Sequence, residues 1–382
     1  MRVVIAPDSF KESLSASGVA QAIAEGIKAA CPEAETICIP MADGGEGSLD
    51  AVLAATGGER RAARVRNANG QEVDAAWGWL GNGRAFVEMA TAAGLEQIAP
   101  NDRRVLDASS FGVGQLIAEA LRAGATHIIM GLGGSASNDA GAGLIQALGV
   151  RLLDAEGRDL APGGAALAGL HRIDTSGADP RLAQARFELA VDVDNPLCGE
   201  RGASAIFGPQ KGASAADVAQ LDAALAHFAD ILQAHTGRDF RDMPGMGAAG
   251  GIGLPMKALF DATFQPGIEL VAALSGLDEV LDGADLVITG EGRMDRQTLL
   301  GKTPAGVARH AAAKRIPVIA IAGSLGDGYE ALYEAGITAA FSIAPGPVAL
   351  EDACRNAAQY LRQRSRAVMQ VWMAAQSIGK SA

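Results

Sequence analysis

Short apolar segments at both ends of the chain constrain its fold more than any other feature. Val3-Val4-Ile5-Ala6 comes first, and Asp285-Leu286-Val287-Ile288-Thr289, Ile316 to Ala322 and Ala339 to Ile343 bring the same character back near the end. Runs this short, without polar alternation, suit strands of a parallel sheet covered on both faces. The segments after the first strand supply the covering helices. Val19, Ile23 and Ile27 recur every fourth residue and share one helical face, Thr36 to Ile39 reads as the next strand, and Leu49, Val52 and Leu53 mark a second helix closed by Gly57-Gly58.

The pattern changes near Arg60. From Arg64 to Met89 three alternating segments are separated by Asn69-Gly70 and Gly81-Asn82-Gly83, residues that accept the positive φ of hairpin turns. Helical signal follows from Gly112 to Arg122 and strand signal at Thr126 to Met130 and Phe187 to Val193. With 382 residues the chain also exceeds the roughly 250–300 at which single cores stop growing. The expected architecture is therefore α/β: a discontinuous Rossmann-like parallel-sheet domain of residues 1–60 and 284–382, with a mixed α/β domain of residues 61–283 inserted in it.

A formal charge of −12 argues against nucleic acid as a partner. No stretch approaches the ~20 apolar residues of a membrane span, and Pro7 and Asp8 interrupt any signal-peptide core. A cytoplasmic protein is expected, with monomer and homodimer both open. Cys31, Cys38, Cys198 and Cys354 form no C-x-x-C pair, and the five histidines show no metal-ligand spacing.

In a doubly wound sheet, ligands bind beyond the carboxyl ends of the strands. Asp8, Ser9 and Lys11 follow the first strand, Asp43 and Glu46 the second, and Glu291, Arg293, Asp295 and Lys302 the strand ending at Thr289. Gly301-Lys302-Thr303 imitates the end of a Walker loop, but position 296, where that motif needs Gly, holds Arg296. Two readings compete for Gly131-Leu132-Gly133-Gly134-Ser135-Ala136-Ser137-Asn138-Asp139. A strand running into glycines and serines before a helix offers backbone N–H groups and about half a positive charge to a polyphosphate, or it is a tight turn capped by Asn138 or Asp139. A dinucleotide site on Gly131, Gly133 and Asp154 is the alternative enzyme class. Asp192 and Asp194 follow an apolar strand and offer oxygen ligands to a hard cation, unless Asn195-Pro196 makes them turn punctuation.

Seven strings in order, APDSFKESLSA, MADGGEGSLDAV, GLGGSASNDAGAG, DVDNPLCG, FGPQKGA, GAAGGIG and TGEGRMDRQTLLGKTPAGVA, resemble the type 1 glycerate kinases over nearly the whole chain. The resemblance implies a Rossmann-like domain with a second α/β domain inserted and phosphorylation of D-glycerate, usually to 2-phosphoglycerate. Residue roles come from the chemistry instead. Phosphoryl transfer needs positioning and charge neutralisation and little covalent help. The cofactors expected are therefore ATP and Mg²⁺, with Gly133, Gly134, Ser135, Ser137, Asn138 and Lys302 at the nucleotide. Asp192 and Asp194 are assigned to the metal, and Asp192, Asp295 and Lys11 to catalysis. Asp8, Ser9, Lys11, Asp43, Glu46, Glu291 and Arg293 are assigned to glycerate. The sequence leaves open a nicotinamide-dependent oxidoreductase and, more weakly, a non-enzymatic ligand-binding module.

Overall fold

The computed structural model describes residues 1–299 and 301–379. It divides into two compact units: Met1–Asp43, Asp50–Gly57 and the residues from Pro266 onward, and Gly44–Leu49 with Gly58–Gln265. The second crossing thus falls at Pro266, where the sequence reading put it after residue 283. Packing accounts for the difference, because helix Gly267–Ser275 seats Ile268 against helix Thr303–Ala313. A Cβ on Gly306 would stand 2.2 Å from an Ile268 side-chain carbon. Residues 380–382, counted with the first domain, lie outside the described residues.

The first unit is built on five strands in the order Ala339–Ser342, Val318–Ala322, Leu286–Thr289, Arg2–Ile5 and Glu35–Cys38. Every pairing in it is parallel. Leu286–Thr289 and Val318–Ala322 are wholly buried, as unbroken apolar runs require. Helix Ala16–Ala30 and helix Ala357–Gly379 contribute to the core on this sheet, where Val19, Ile23 and Ile27 join Ile5, Ile288, Leu361 and Met369. Each large aliphatic side chain so buried contributes roughly 1.5–3 kcal/mol. Ser15 Oγ accepts from Gly18 N at 3.2 Å and starts the first of these helices.

The second unit holds six strands in the order Thr263–Gln265, Arg186–Ala190, His127–Gly131, Arg84–Glu88, Glu72–Gly81 and Glu59–Arg66. The last three form the expected antiparallel meander, with Gly81, Asn82 and Gly83 all at positive φ in its second turn. Arg84–Glu88 then pairs in parallel with His127–Gly131, and parallel pairing continues through Arg186–Ala190 to Thr263–Gln265. The strand expected to reach Val193 stops at Ala190, so Asp192 and Asp194 stand in exposed loop.

Candidate active site

In the first unit, backbone pairing outlives the strands. Ala6 N donates to Ile288 O and Asp8 N to Gly290 O, both at 2.8 Å, and Met41 N donates to Pro7 O at 2.9 Å. Asp8, Asp43 and Glu291 therefore follow the carboxyl ends of three neighbouring strands. Asp8 Oδ1 accepts from Ser9 N at 2.6 Å and Oδ2 from Thr303 Oγ1 at 2.5 Å. Loss of water around the group, reinforced by the charge of Asp43, pushes the Asp8 carboxyl up to about 7 against the pull of those hydrogen bonds. Burial likewise raises Glu291, whose Oε1 accepts from Thr298 Oγ1 at 2.6 Å and whose Oε2 lies 3.4 Å from the Lys302 ammonium.

Arg293 and Asp295 sit together as their spacing suggests. Arg293 Nε donates to Asp295 Oδ2 at 3.2 Å, and Asp295 Oδ1 accepts from Gln297 N at 2.9 Å. Lys11 is exposed in the turn bridged by Phe10 and Leu14. Lys302 caps helix Thr303–Ala313 and is turned to Glu291. Asp43 counts with the first unit and Glu46, exposed, with the second.

The second unit carries the glycine-serine loop. Its helix, Ala142–Ala147, begins later than the sequence suggests, and its first donors are already taken. Ala142 N donates to Asp139 O at 2.8 Å, Gly143 N to Asp139 Oδ2 at 3.2 Å and Leu144 N to Ser110 Oγ at 3.0 Å. Asp139 Oδ2 also accepts from Ser110 N and Ser110 Oγ, at 2.8 and 2.9 Å. The chain thus supplies its own anion at this helix start: Gly141 holds the N-cap position, and Asp139 takes the early N–H groups from just outside it. Burial raises its carboxyl while these bonds hold it down.

The loop itself approaches a second glycine segment. Gly133 N donates to Gly44 O at 3.2 Å, and a Cβ on Gly133 would stand 2.5 Å from Gly45 Cα, a separation no side chain tolerates. Only Gly133 and Gly134 face outward. Ser135, Ser137 and Asn138 are buried, with Asn138 Nδ2 donating to Ser204 Oγ at 2.8 Å. Beneath them lies Lys211, 1% exposed, whose ammonium donates to Ser135 Oγ at 2.8 Å and Ser137 O at 2.6 Å. Burial pushes this lysine down to about 7, with Asp139 pulling the other way.

Lys211, Thr298 and Thr303 were not singled out for roles by sequence reasoning, and Asp139 only as a candidate cap. Lys211 stands in Gly208-Pro209-Gln210-Lys211-Gly212, where turn residues on both sides suggest an exposed cation. Two expected placements already have partners within the chain. Asp192 and Asp194 stand in exposed loop, and Asp194 is engaged by Arg201 Nη2 at 3.0 Å. Asp154 accepts from Arg158 Nε at 2.8 Å and from Glu156 N and Arg158 N, so both its oxygens are engaged in a closed local turn.

The comparisons with known proteins decide among the enzyme classes. Residues 3–373 match the glycerate kinase family. The chain belongs to this family. It is 48% identical over 373 residues to the glycerate kinase of Halalkalibacterium halodurans, covering 97% of this chain and 98% of that one. The glycerate 2-kinase of Escherichia coli K12 is also 48% identical, over 96% of both chains. A crystal structure from Salmonella typhimurium LT2, described as a glycerate kinase 2, superposes with a TM-score of 0.89 at 47% identity and 99% coverage of each chain. Membership makes the protein a phosphotransferase with an alcohol acceptor and sets aside the oxidoreductase and the binding module. The mixed α/β fold with parallel sheets is that of the solved family structure. No helix among the described residues is long and apolar enough to cross a membrane.

Proposed function

We propose that this chain transfers the γ-phosphoryl group of ATP to D-glycerate, giving 2-phosphoglycerate. The observation that carries the reading is 48% identity over nearly the full length to proteins named glycerate kinase and glycerate 2-kinase.

On the acceptor side, Asp8 is assigned as the proton acceptor. A carboxyl near 7 matches a base working at neutral pH. As the hydroxyl oxygen bonds to phosphorus and the bond to the ADP oxygen breaks, the hydroxyl proton passes to an Asp8 oxygen. Lys11 and Arg293 are assigned to the glycerate carboxylate, with Asp295 orienting Arg293. Ser9 and Glu46 are retained as lesser contacts, and Asp192 as a loop residue without an assigned step.

The charge of Asp43 adds to burial in raising both Asp8 and Glu291, the electrostatic condition that a divalent cation relieves. Mg²⁺ takes one or two carboxylates and completes its shell with water and phosphate oxygens, so this set fits it without a three-residue cage. The metal assignment therefore moves from Asp192 and Asp194 to Asp43, which leaves Asp8 free to take the proton, and when bound the ion would supply charge neutralisation at the phosphates. The nucleotide phosphates are assigned to the backbone at Gly133, Gly134 and Ser135, with Lys302 kept as a cation that Glu291 holds in place. Ser137 and Asn138 are assigned to support this loop from below.

Release of ADP from Mg·ATP that depends on D-glycerate tests the activity, and a phosphorus NMR spectrum of the product fixes which hydroxyl is attacked. ADP release that ignores D-glycerate would refute the proposal. A 3-phosphoglycerate product would refute only the regiochemistry.

A further inference from the structure

We propose that Lys211 is a positioning residue for nucleotide phosphate, holding the loop Gly133–Ser137 from behind and lending it the positive charge that an anion on its outer side meets. This deepens the assignment of the phosphates to that loop and rests on it.

The geometry is specific. Lys211 ends the short turn Pro209–Lys211, and Gly212 follows at φ +96. From there the side chain reaches two oxygens of the loop, Ser135 Oγ and Ser137 O. Neither belongs to a carboxylate. An ammonium on neutral acceptors in a water-excluded site is an expensive way to hold a loop, since an apolar side chain of similar length fills the space without the cost of burying charge. The charge is what packing leaves unexplained. Its field is weakly screened there, and the loop it touches turns Gly133 and Gly134 to solvent. Asp139, the carboxylate that acts on it through space, takes its hydrogen bonds from Ser110 and the helix start and not from the ammonium, so the lysine's donors stay on the loop. Burial that pushes Lys211 down to about 7 implies the converse linkage: an anion at the loop favours the protonated lysine.

The test separates phosphate recognition from stability. Lys211→Met keeps length and removes charge and donors. The expected result is an ATP KM at least about tenfold higher, with the glycerate KM and the adenosine dissociation constant within about twofold of wild type. A folded variant with an unchanged ATP KM overturns the proposal, and so does an equal weakening of ATP, adenosine and glycerate, which marks a merely structural role. Should Lys211→Met fail to fold, Ser135→Ala removes one acceptor from the loop side; a several-fold rise in ATP KM supports the proposal and none overturns it. Gly134→Asp against Gly134→Asn checks the underlying assignment. Both residues tolerate the φ of +72 there, the two differ only in charge, and a Cβ meets Ala90 Cβ at a near-contact 3.3 Å. Equal ATP KM values in that pair remove the loop reading and this inference with it. A higher KM for Asp beside an unaffected Lys211→Met removes the inference alone.

Discussion

Asp8→Asn is expected to stabilise the first unit at pH 8 while abolishing most of the turnover. In the fold the Asp8 carboxyl is raised from 3.8 to about 7, so the native state binds the proton more tightly than the unfolded chain does. The contribution of this group is complete below its unfolded pKa and is lost as pH rises through 3.8 to 7. Each tenfold gain in proton affinity on folding corresponds to about 1.36 kcal/mol. The raised carboxyl thus costs the fold on the order of 4 kcal/mol at pH 8, where it is ionised, and about 1–2 kcal/mol at pH 5, where the unfolded chain gives up the proton that the fold keeps. Asn abolishes the charge at both pH values. Its oxygen can still accept from Ser9 N while its amide donates to Thr303 Oγ1, so bonds to a charged group become neutral ones at a loss of about 1 kcal/mol. The net gain should be about 2–3 kcal/mol at pH 8 and close to zero at pH 5. Denaturant midpoints for the first unit's transition, measured in EDTA without nucleotide at the two pH values, read this directly. An equal gain at both, or a loss at pH 8, refutes the electrostatic account. The same variant should lose ~10²–10⁴-fold in kcat if Asp8 takes the proton. A stabilised variant with normal turnover would leave the carboxylate repulsion real and the catalytic assignment wrong.

Wild-type kcat/KM for D-glycerate should rise with pH through about 7 and then level, as the free enzyme's Asp8 gives up its proton; a flat profile from pH 5.5 to 8.5 contradicts this. Lys302→Ala should cost less turnover than Lys11→Ala, because Lys302 is tied to Glu291, and steady-state kinetics of the two variants would show the reverse order if the Gly-Lys-Thr string binds phosphate after all. Asp194→Asn should change stability by under about 1 kcal/mol, since its exposed pair with Arg201 is screened by water, and should leave the magnesium requirement unchanged in a titration of activity against Mg²⁺. Gly306→Ala should lower the melting temperature by an amount equivalent to about 1–3 kcal/mol, because the branched Ile268 side chain has no room to yield to the new methyl.

How much of this was legible in the sequence depended on whether a residue's position had a local cause. The parallel sheet was readable because buried strands must be apolar throughout, and Leu286-Val287-Ile288 or Val318 to Ala322 can be little else. The meander was readable because Gly81-Asn82-Gly83 needs positive φ at every step. The boundary at Pro266 was not, since what assigns helix Gly267–Ser275 is its long-range contact with the first unit, Ile268 against Gly306 and Glu269 with Arg309.

The site divides along the same line. Asp8 and Glu291 were identified because they follow strands, and the topology rule places such residues at the ligand side. Their unequal roles were hidden, since the Asp8 shift depends on Asp43 and Thr303, 35 and 295 residues away in a chain read one window at a time. The glycine loop was ambiguous for the opposite reason. Its string is consistent with a phosphate seat and with a capped turn, and Asp139 resolves the helix start in favour of the cap while Gly133 is required by Gly45 whatever binds outside. A glycine-rich loop therefore reports close approach without saying of what. The group that distinguishes a ligand from a neighbouring backbone is Lys211, 76 residues from Ser135, because a buried charge is retained at a cost that close packing alone does not require.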